Sequence, residues 1–389
     1  MLQPKPETQK GPTRLRILHC LRAPVGGLFR HVVDLATAQV ELGHDVAVVC
    51  ATTGDGLTEA RLLTLSQSLT LGLHRFPMAR DLGFGDFRAW RQVVGLAGQL
   101  GVDVIHGHGA KGGAYARLAA RGLQSSRPDL RCFYTPHGGS LHYASGTLAG
   151  QFYARLERQM ETWTDGILFE SAFASGRYRS QIGAPQCATR VVTNGLLASE
   201  FLPVVAEPDA ADFVFVGELR ILKGVDVALE ALAKANRARR ATAVFAGEGP
   251  DATRFKEQTE ALGLSDLVRF PGLLRAREAF ALGHTLLVPS RVESLPYIVL
   301  EGVAACLPVI ATDVGGIPEI IPVQFGPLLP AGDSEALAAA MVAALAQPAK
   351  LRAKAEALQE WIRHRFSVAA MAGGVMDFYG AQADARKAA

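Results

Sequence analysis

Cysteine is scarce: five in 389 residues, Cys20, Cys50, Cys132, Cys187 and Cys306, with no CxxC spacing among them. Odd in number and scattered, they exclude a disulfide framework and a cysteine zinc site, and read as small buried hydrophobes in a reducing compartment. No apolar run reaches 18 residues, so no segment is long enough to cross a bilayer as a helix. The opening MLQPKPETQKGP has no apolar core, which argues against a secretory signal and makes residues 1–13 an expected flexible segment. No two aspartates stand two apart, so a DxD metal clamp is missing, and nothing fits a Walker lysine, a GxSxG elbow or a zinc cluster. Chemistry without metal or cofactor is the expectation, in the cytoplasm and in contact at most with the cytosolic face of a membrane.

What is present is an ordinary globular composition, 49% hydrophobic and 20% charged, which excludes a disordered scaffold. The length suits two domains. The net charge is only +3, too little for a nucleic-acid binder. It is unevenly spread, with 21 basic and 15 acidic residues up to position 200 and 19 and 22 after it. A mildly basic first half suits an anionic surface such as lipid headgroups or a lipid pyrophosphate.

From Arg14 short apolar strands alternate with helical segments, the pattern of a parallel sheet covered on both faces. The strands are predicted at 15–20, 45–50, 73–76, 102–106, 131–135, 166–169 and 190–192. LPVVAEPDAAD, residues 202–212, then breaks the pattern with two prolines and a run of acids and reads as a linker. The alternation restarts at 213–216, 242–246, 267–270, 285–288, 308–311 and 326–329. Two Rossmann-like doubly wound parallel-sheet domains facing across a cleft follow, at 14–201 and 213–365, with 366–389 as a final helix. Ligands in such folds bind at the carboxyl ends of strands.

The chemistry-bearing residues fall at those ends. Gly26 and Gly27 follow the first strand and open a helix, as a phosphate turn requires. His106-Gly107-His108-Gly109 with Lys111 reads as a substrate-lining loop after the fourth strand. His137, within TPHGG, sits where an imidazole can reach a hydroxyl. Arg220 and Lys223 lie in the first turn of the second domain. Two cations near a helix start oppose its dipole unless an anion compensates them, so a phosphate ligand is implied. Gly247-Glu248-Gly249 reads as a loop that brushes a nucleotide base. In VPSRVESLPYIVLEG the unpaired N–H groups at a helix opened by Pro296 suit a pyrophosphate. Glu293 and Glu301 flank that helix start. Like charges cannot both face the anion, so one glutamate suits a ribose and the other a sugar.

Taken together, GGLFRHVVDLA, LGHDV, TPHG, the DGIL at Asp165, the VTNG at Asn194, GELRILKG, AGEGP, ESLPYIVLE and GGIPE resemble the GT-B glycosyltransferases, and specifically glycosyltransferase family 4, nearly end to end. The resemblance implies a retaining, metal-independent hexosyltransferase. Its donor would be a UDP- or GDP-sugar and its acceptor a saccharide or lipid-linked saccharide, in bacterial exopolysaccharide, lipopolysaccharide or glycolipid synthesis. It assigns Glu301 to the ribose and Glu293 to the donor sugar, with the backbone of Ser294, Leu295, Pro296 and Tyr297 on the diphosphate. Lys223 and Arg220 would neutralise the leaving phosphate, Gly26 and Gly27 would approach the donor, and His137 would face the transferred sugar. The catalytic set is then His137, Glu293 and Lys223, with Glu248 near the donor and His108 and Lys111 on the acceptor side. The last helix would cross back to the first domain. Many members carry arginine directly after the glycine of the phosphate turn, where this chain has Glu218, so Arg220 is taken to substitute. The competing readings are a sugar-nucleotide epimerase and a non-catalytic nucleotide-sugar-binding protein of similar fold.

Overall fold

A computed structural model describes residues 14–52, 56–79, 83–138 and 147–388, without the side chains of 56, 57 and 384–388. The segment 1–13 and Gly139 lie outside the described residues. By internal contacts the chain forms two compact units, one of residues up to 168 with 181–190 and 381 onward, the other of 169–180 and 191–380.

The chain opens with β1 (Arg16–Leu21), α1 (Gly26–Glu41), β2 (Asp45–Ala51), α2 (Gly56–Ser68), β3 (Leu73–Phe76), α3 (Phe84–Leu100), β4 (Val104–His108), α4 (Gly109–Leu123), β5 (Arg131–Thr135), α5 (Leu148–Glu161), β6 (Gly166–Phe169), α6 (Ala172–Gln181) and β7 (Ala188–Val191). The seven strands lie in the order β3-β2-β1-β4-β5-β6-β7. All seven residues of β2 are buried, as a parallel strand covered on both faces demands. Leu18 and Cys20 pack against α3 and α4. Leu21 packs on the other face beneath Phe29, Val32 and Ala36 of α1. His19, which shares that face by the two-residue alternation, is fully buried there. The strand order reverses between β1 and β4, which opens a crevice at their carboxyl ends.

The second sheet is built from β8 (Ala211–Val216), α7 (Val225–Ala238), β9 (Ala243–Ala246), α8 (Ala252–Ala261), β10 (Val268–Gly272), α9 (Ala276–Phe280), β11 (Gly283–Val288), α10 (Tyr297–Ala304) and β12 (Val309–Ala311). There follow α11 (Ile317–Ile320), α12 (Ser334–Ala346), α13 (Pro348–Arg363) and α14 (Val368–Ala388). The order β10-β9-β8-β11-β12 puts this reversal between β8 and β11. The paired strands of both sheets run parallel.

Three expectations are corrected. The strand at 326–329 shrinks to a single bridge between Leu329 and Thr312, because Pro327 has no N–H for a ladder. The segment 202–212 is no free linker: Val204 N–H donates to Ala305 O and Glu207 N–H to Ala281 O, and β8 begins inside it at Ala211. The fourth strand starts and ends two residues later than expected, so His106 and His108 are strand residues with His106 opposite His19.

Candidate active site

Both reversals carry candidate site residues, and each cluster is built from its own strand ends. In the second sheet, β8 runs into Gly217-Glu218-Leu219-Arg220 and a short turn at Ile221–Lys223. Gly224 follows with φ 70°, and a Cβ there would fall 1.9 Å from the Pro289 carbonyl. Only glycine lets this turn lie against the end of β11. The closeness brings Lys223 Nζ to 2.7 Å from Glu293 Oε1, which also accepts from Ser290 Oγ at 2.7 Å. Two residues predicted from separate motifs, 70 positions apart, thus meet as one ion pair. The Glu293 side chain is 8% exposed and Lys223 31%, so the ammonium, with three N–H donors, faces outward more than its partner does.

The loop after β11 is fixed from several sides. Arg291 grips Asp226 in a two-toothed pair at 2.7 and 2.8 Å and donates to Ile221 O, tying the loop to the lysine turn. Gly316 N–H donates to Ser294 O at 2.5 Å, and Asn194 Nδ2 donates to Leu295 O at 3.1 Å. Ser294 Oγ donates to Glu170 Oε1 at 2.7 Å; Glu170 is buried, and its Oε2 has no hydrogen-bond partner among the described residues. Pro296 is the extended cap residue of α10, one position earlier than its predicted place as first helical residue. Leu295, Pro296 and Tyr297 are buried and Glu301 is half-buried one turn into α10. Glu319, in GGIPE, accepts from the N–H groups of Ala172 and Phe173, each at 2.9 Å, at the start of α6.

Glu248 is exposed, and its carbonyl accepts from Leu219 N–H, so the GEGP loop packs on the lysine turn. Arg220 is exposed as well, and its ion-pair partner is its neighbour Glu218, at 3.6 Å. That arginine is therefore held more loosely than Lys223.

In the first unit Gly26, φ 64°, starts α1, and Gly26 and Gly27 are both exposed. Behind them lies a file of imidazoles. His19 Nε2 is 2.7 Å from Gln39 Oε1, His19 Nδ1 is 2.9 Å from His108 Nε2, and His108 Nδ1 is 3.1 Å from His137 Nε2. His106 Nε2 meets Thr135 Oγ1 at 2.8 Å. His19, His106 and His108 are fully buried and His137 half-buried. Burial disfavours the imidazolium, lowering His19 to about 4 and His137 to about 3 and holding His106 and His108 well below the usual histidine range. These rings are neutral at pH 7. His137 has φ 48°, a left-handed backbone uncommon for residues other than glycine. Lys111 donates to Ala79 O and pairs with Asp86 at 2.7 Å, and Tyr115 O–H also donates to Asp86.

Within the second unit the structure thus gathers Lys223, Glu293 and the Ser294–Tyr297 loop; within the first it gathers His108 and His137. Sequence reasoning missed His19, Gln39, His31, Glu170, Arg291 and the helix-capping role of Glu319. One signal was available, a histidine inside the apolar β1 run RILHCL.

The first half of the chain, residues 25–197, matches the profile of Glycosyltransferase Family 4, and residues 202–361 match that of Glycosyl transferases group 1. The glycogen synthase of Mycobacterium tuberculosis is 28% identical over 386 residues, covering 91% of each chain. Among solved structures, Anabaena HepE in complex with UDP and glucose superposes with a TM-score of 0.77 at 18% identity, covering 95% of this chain and 100% of that one. Sucrose-phosphate synthase from Thermosynechococcus elongatus gives 0.78 at 19% identity over 95% and 100%.

Proposed function

From the premise that the chain belongs to glycosyltransferase family 4 and has the GT-B fold, we propose that it moves a hexose from a UDP- or GDP-sugar to a saccharide or lipid-linked acceptor, with retention of anomeric configuration. The observation that carries this reading is the Lys223–Glu293 contact at the strand-order reversal of the second sheet. It puts a phosphate-neutralising cation and a hydroxyl-binding carboxylate side by side, and Ser290 holds the carboxylate in place.

In this reading the first N–H groups of α10 bind the diphosphate, Glu301 accepts from the ribose hydroxyls and Glu293 from hydroxyls of the donor sugar. The bond from the anomeric carbon to the diphosphate breaks while the acceptor oxygen bonds to that carbon, and the acceptor's proton ends on the leaving phosphate. Lys223, assisted by the outlying Arg220, stabilises the negative charge that grows there, so its contribution is larger in the transition state than in the bound donor. The Gly26-Gly27 turn approaches the donor and His137 accepts a hydrogen bond from the transferred sugar. Neutral at pH 7, His137 adds no repulsion to a positive charge developing on the sugar ring. No metal or other cofactor takes part. HepE, a protein of the same fold, is described with UDP and with UDP-glucose, which supports a uridine nucleotide as donor. The mildly basic first half supports an anionic acceptor at the cytosolic membrane face, in bacterial surface-polysaccharide or glycolipid assembly; no helix among the described residues is long and apolar enough to cross a membrane.

The test is thermal stabilisation by a panel of UDP-, GDP- and ADP-sugars. The true donor at 100 times its dissociation constant is expected to add about 2.7 kcal/mol. A panel in which none raises the melting temperature would refute the reading.

A further inference from the structure

The file of imidazoles has a direction. Gln39 meets His19 with its amide oxygen, which can only accept, so His19 carries its proton on Nε2 and leaves a lone pair on Nδ1. His108 Nε2, 2.9 Å away, has to supply the proton for that contact. His108 Nδ1 is then an acceptor, and across the 3.1 Å contact the donor is His137 Nε2–H. A neutral imidazole holds one such proton, so Nδ1 of His137 is left as an acceptor. We infer that Gln39, His19 and His108 are positioning residues that lock His137 in its Nε2–H tautomer, offering Nδ1 to a hydroxyl of the transferred sugar; the last clause rests on the role proposed for His137 above.

The file is a lock and not a proton wire. A proton taken up at His137 has nowhere to go, because the amide oxygen at the far end does not retain one. The surrounding rings keep the file from turning: His106 lies 4.1 Å from His108 between ring centres, and His31 meets His137 edge-on at 4.8 Å. The left-handed backbone at His137 is consistent with a side chain held from behind. Gln39 sits on α1, whose register places it and His31 eight residues apart on the buried face, where Gln39 reaches His19 of β1 and the His31 ring lies 5.7 Å from that of His108 at the end of β4. One helix thereby both opens the glycine turn and anchors the file.

Two histidine trios here, His19 with His106 and His108, and His31 with His108 and His137, have ligand nitrogens within 4.8 Å of one another, close enough to suit a metal. The contacts argue otherwise. At 2.9 and 3.1 Å the paired nitrogens are nearer than the roughly 3.3 Å of a tetrahedral zinc site, and each pair shares a proton that a metal would expel.

The decisive measurement is long-range proton–nitrogen NMR on the full chain with labelled histidine. His137 is expected as the Nε2–H tautomer in the wild type. In Gln39→Leu a mixture of tautomers is expected, with turnover of the stabilising nucleotide sugar reduced about ten-fold or more and its KM changed less than two-fold. Gln39→Glu, which keeps an acceptor at that place, is expected to restore the single tautomer. A proton on His137 Nδ1 in the wild type, an unchanged tautomer in Gln39→Leu, or a stoichiometric metal in the purified protein would each overturn the lock. The wild-type assignment decides even if the leucine variant does not fold. Unchanged turnover in His137→Ala, alongside the expected tautomers, would instead refute the sugar contact and leave the lock standing.

Discussion

The two sheets handle polar groups at their reversals in opposite ways. The first buries neutral rings, each satisfied by the next and the last by an amide, and carries no net charge into the interior. The second keeps a charged pair, Lys223 with Glu293, part open to solvent and fastened by its neighbours. A hydrogen-bonded neutral file fixes direction, because every proton has one place. An ion pair fixes charge, because neither partner has to choose an orientation. A reaction that must recognise a hydroxyl pattern and also stabilise a departing phosphate has use for one of each.

Changes that attack one side and spare the other test this contrast. The largest effect is expected from Lys223→Ala, a fall in kcat of about 100- to 1,000-fold with KM for the donor little altered; equal losses in binding and turnover would make the lysine a mere anchor. Glu301→Ala is expected to weaken donor nucleotide binding by about 1.5–3 kcal/mol in calorimetry, and an unchanged affinity would remove the ribose assignment. Acid is expected to strike the neutral file. His19 titrates near 6.5 when unfolded and near 4 when folded, so between those values the unfolded chain takes up a proton that the folded chain refuses. Stability present above pH 6.5 is lost as the pH falls, by about 2 kcal/mol from pH 7 to 5 for His19 alone. Urea titration of a Trp361→Phe variant, in which the remaining tryptophans, Trp90 and Trp163, both lie in the first unit, would read it. A pH-independent midpoint would mean that the file is charged or solvated. The smallest effect is expected from Arg220→Ala, at most about 1 kcal/mol in donor binding, since its ion pair with Glu218, two residues away, is exposed. A loss as large as that of Lys223→Ala would restore Arg220 as an equal partner.

The cluster in the second unit was more legible in the sequence than the cluster in the first, for a physical reason. Each of its two pieces is local: Lys223 and Gly224 are consecutive, and Ser294 to Tyr297 form one short run with Glu293 and Glu301 on either side of it. The sheets were legible too, because buried parallel strands are unbroken apolar runs. The histidine file was not. Its members come from β1, α1, β4 and the end of β5, and only the register that sets His19 opposite His106 assembles them. His106 and His108 were visible as a pair, yet a strand boundary placed two residues early turned them into a loop. Pro327 carried the information that ended the predicted sixth strand, but an apolar GPLL read as strand all the same.

Glu319 has a bearing on how this chain can be divided. Its carboxylate holds the first N–H groups of α6, 147 positions earlier, and the chain passes from one compact unit to the other at 168, 180, 190 and 380. A single cut near residue 202 would leave that carboxylate without its helix and that helix without its carboxylate. Neither fragment would be a complete folding unit, so the two halves are expected to be inherited, expressed and recombined as one piece.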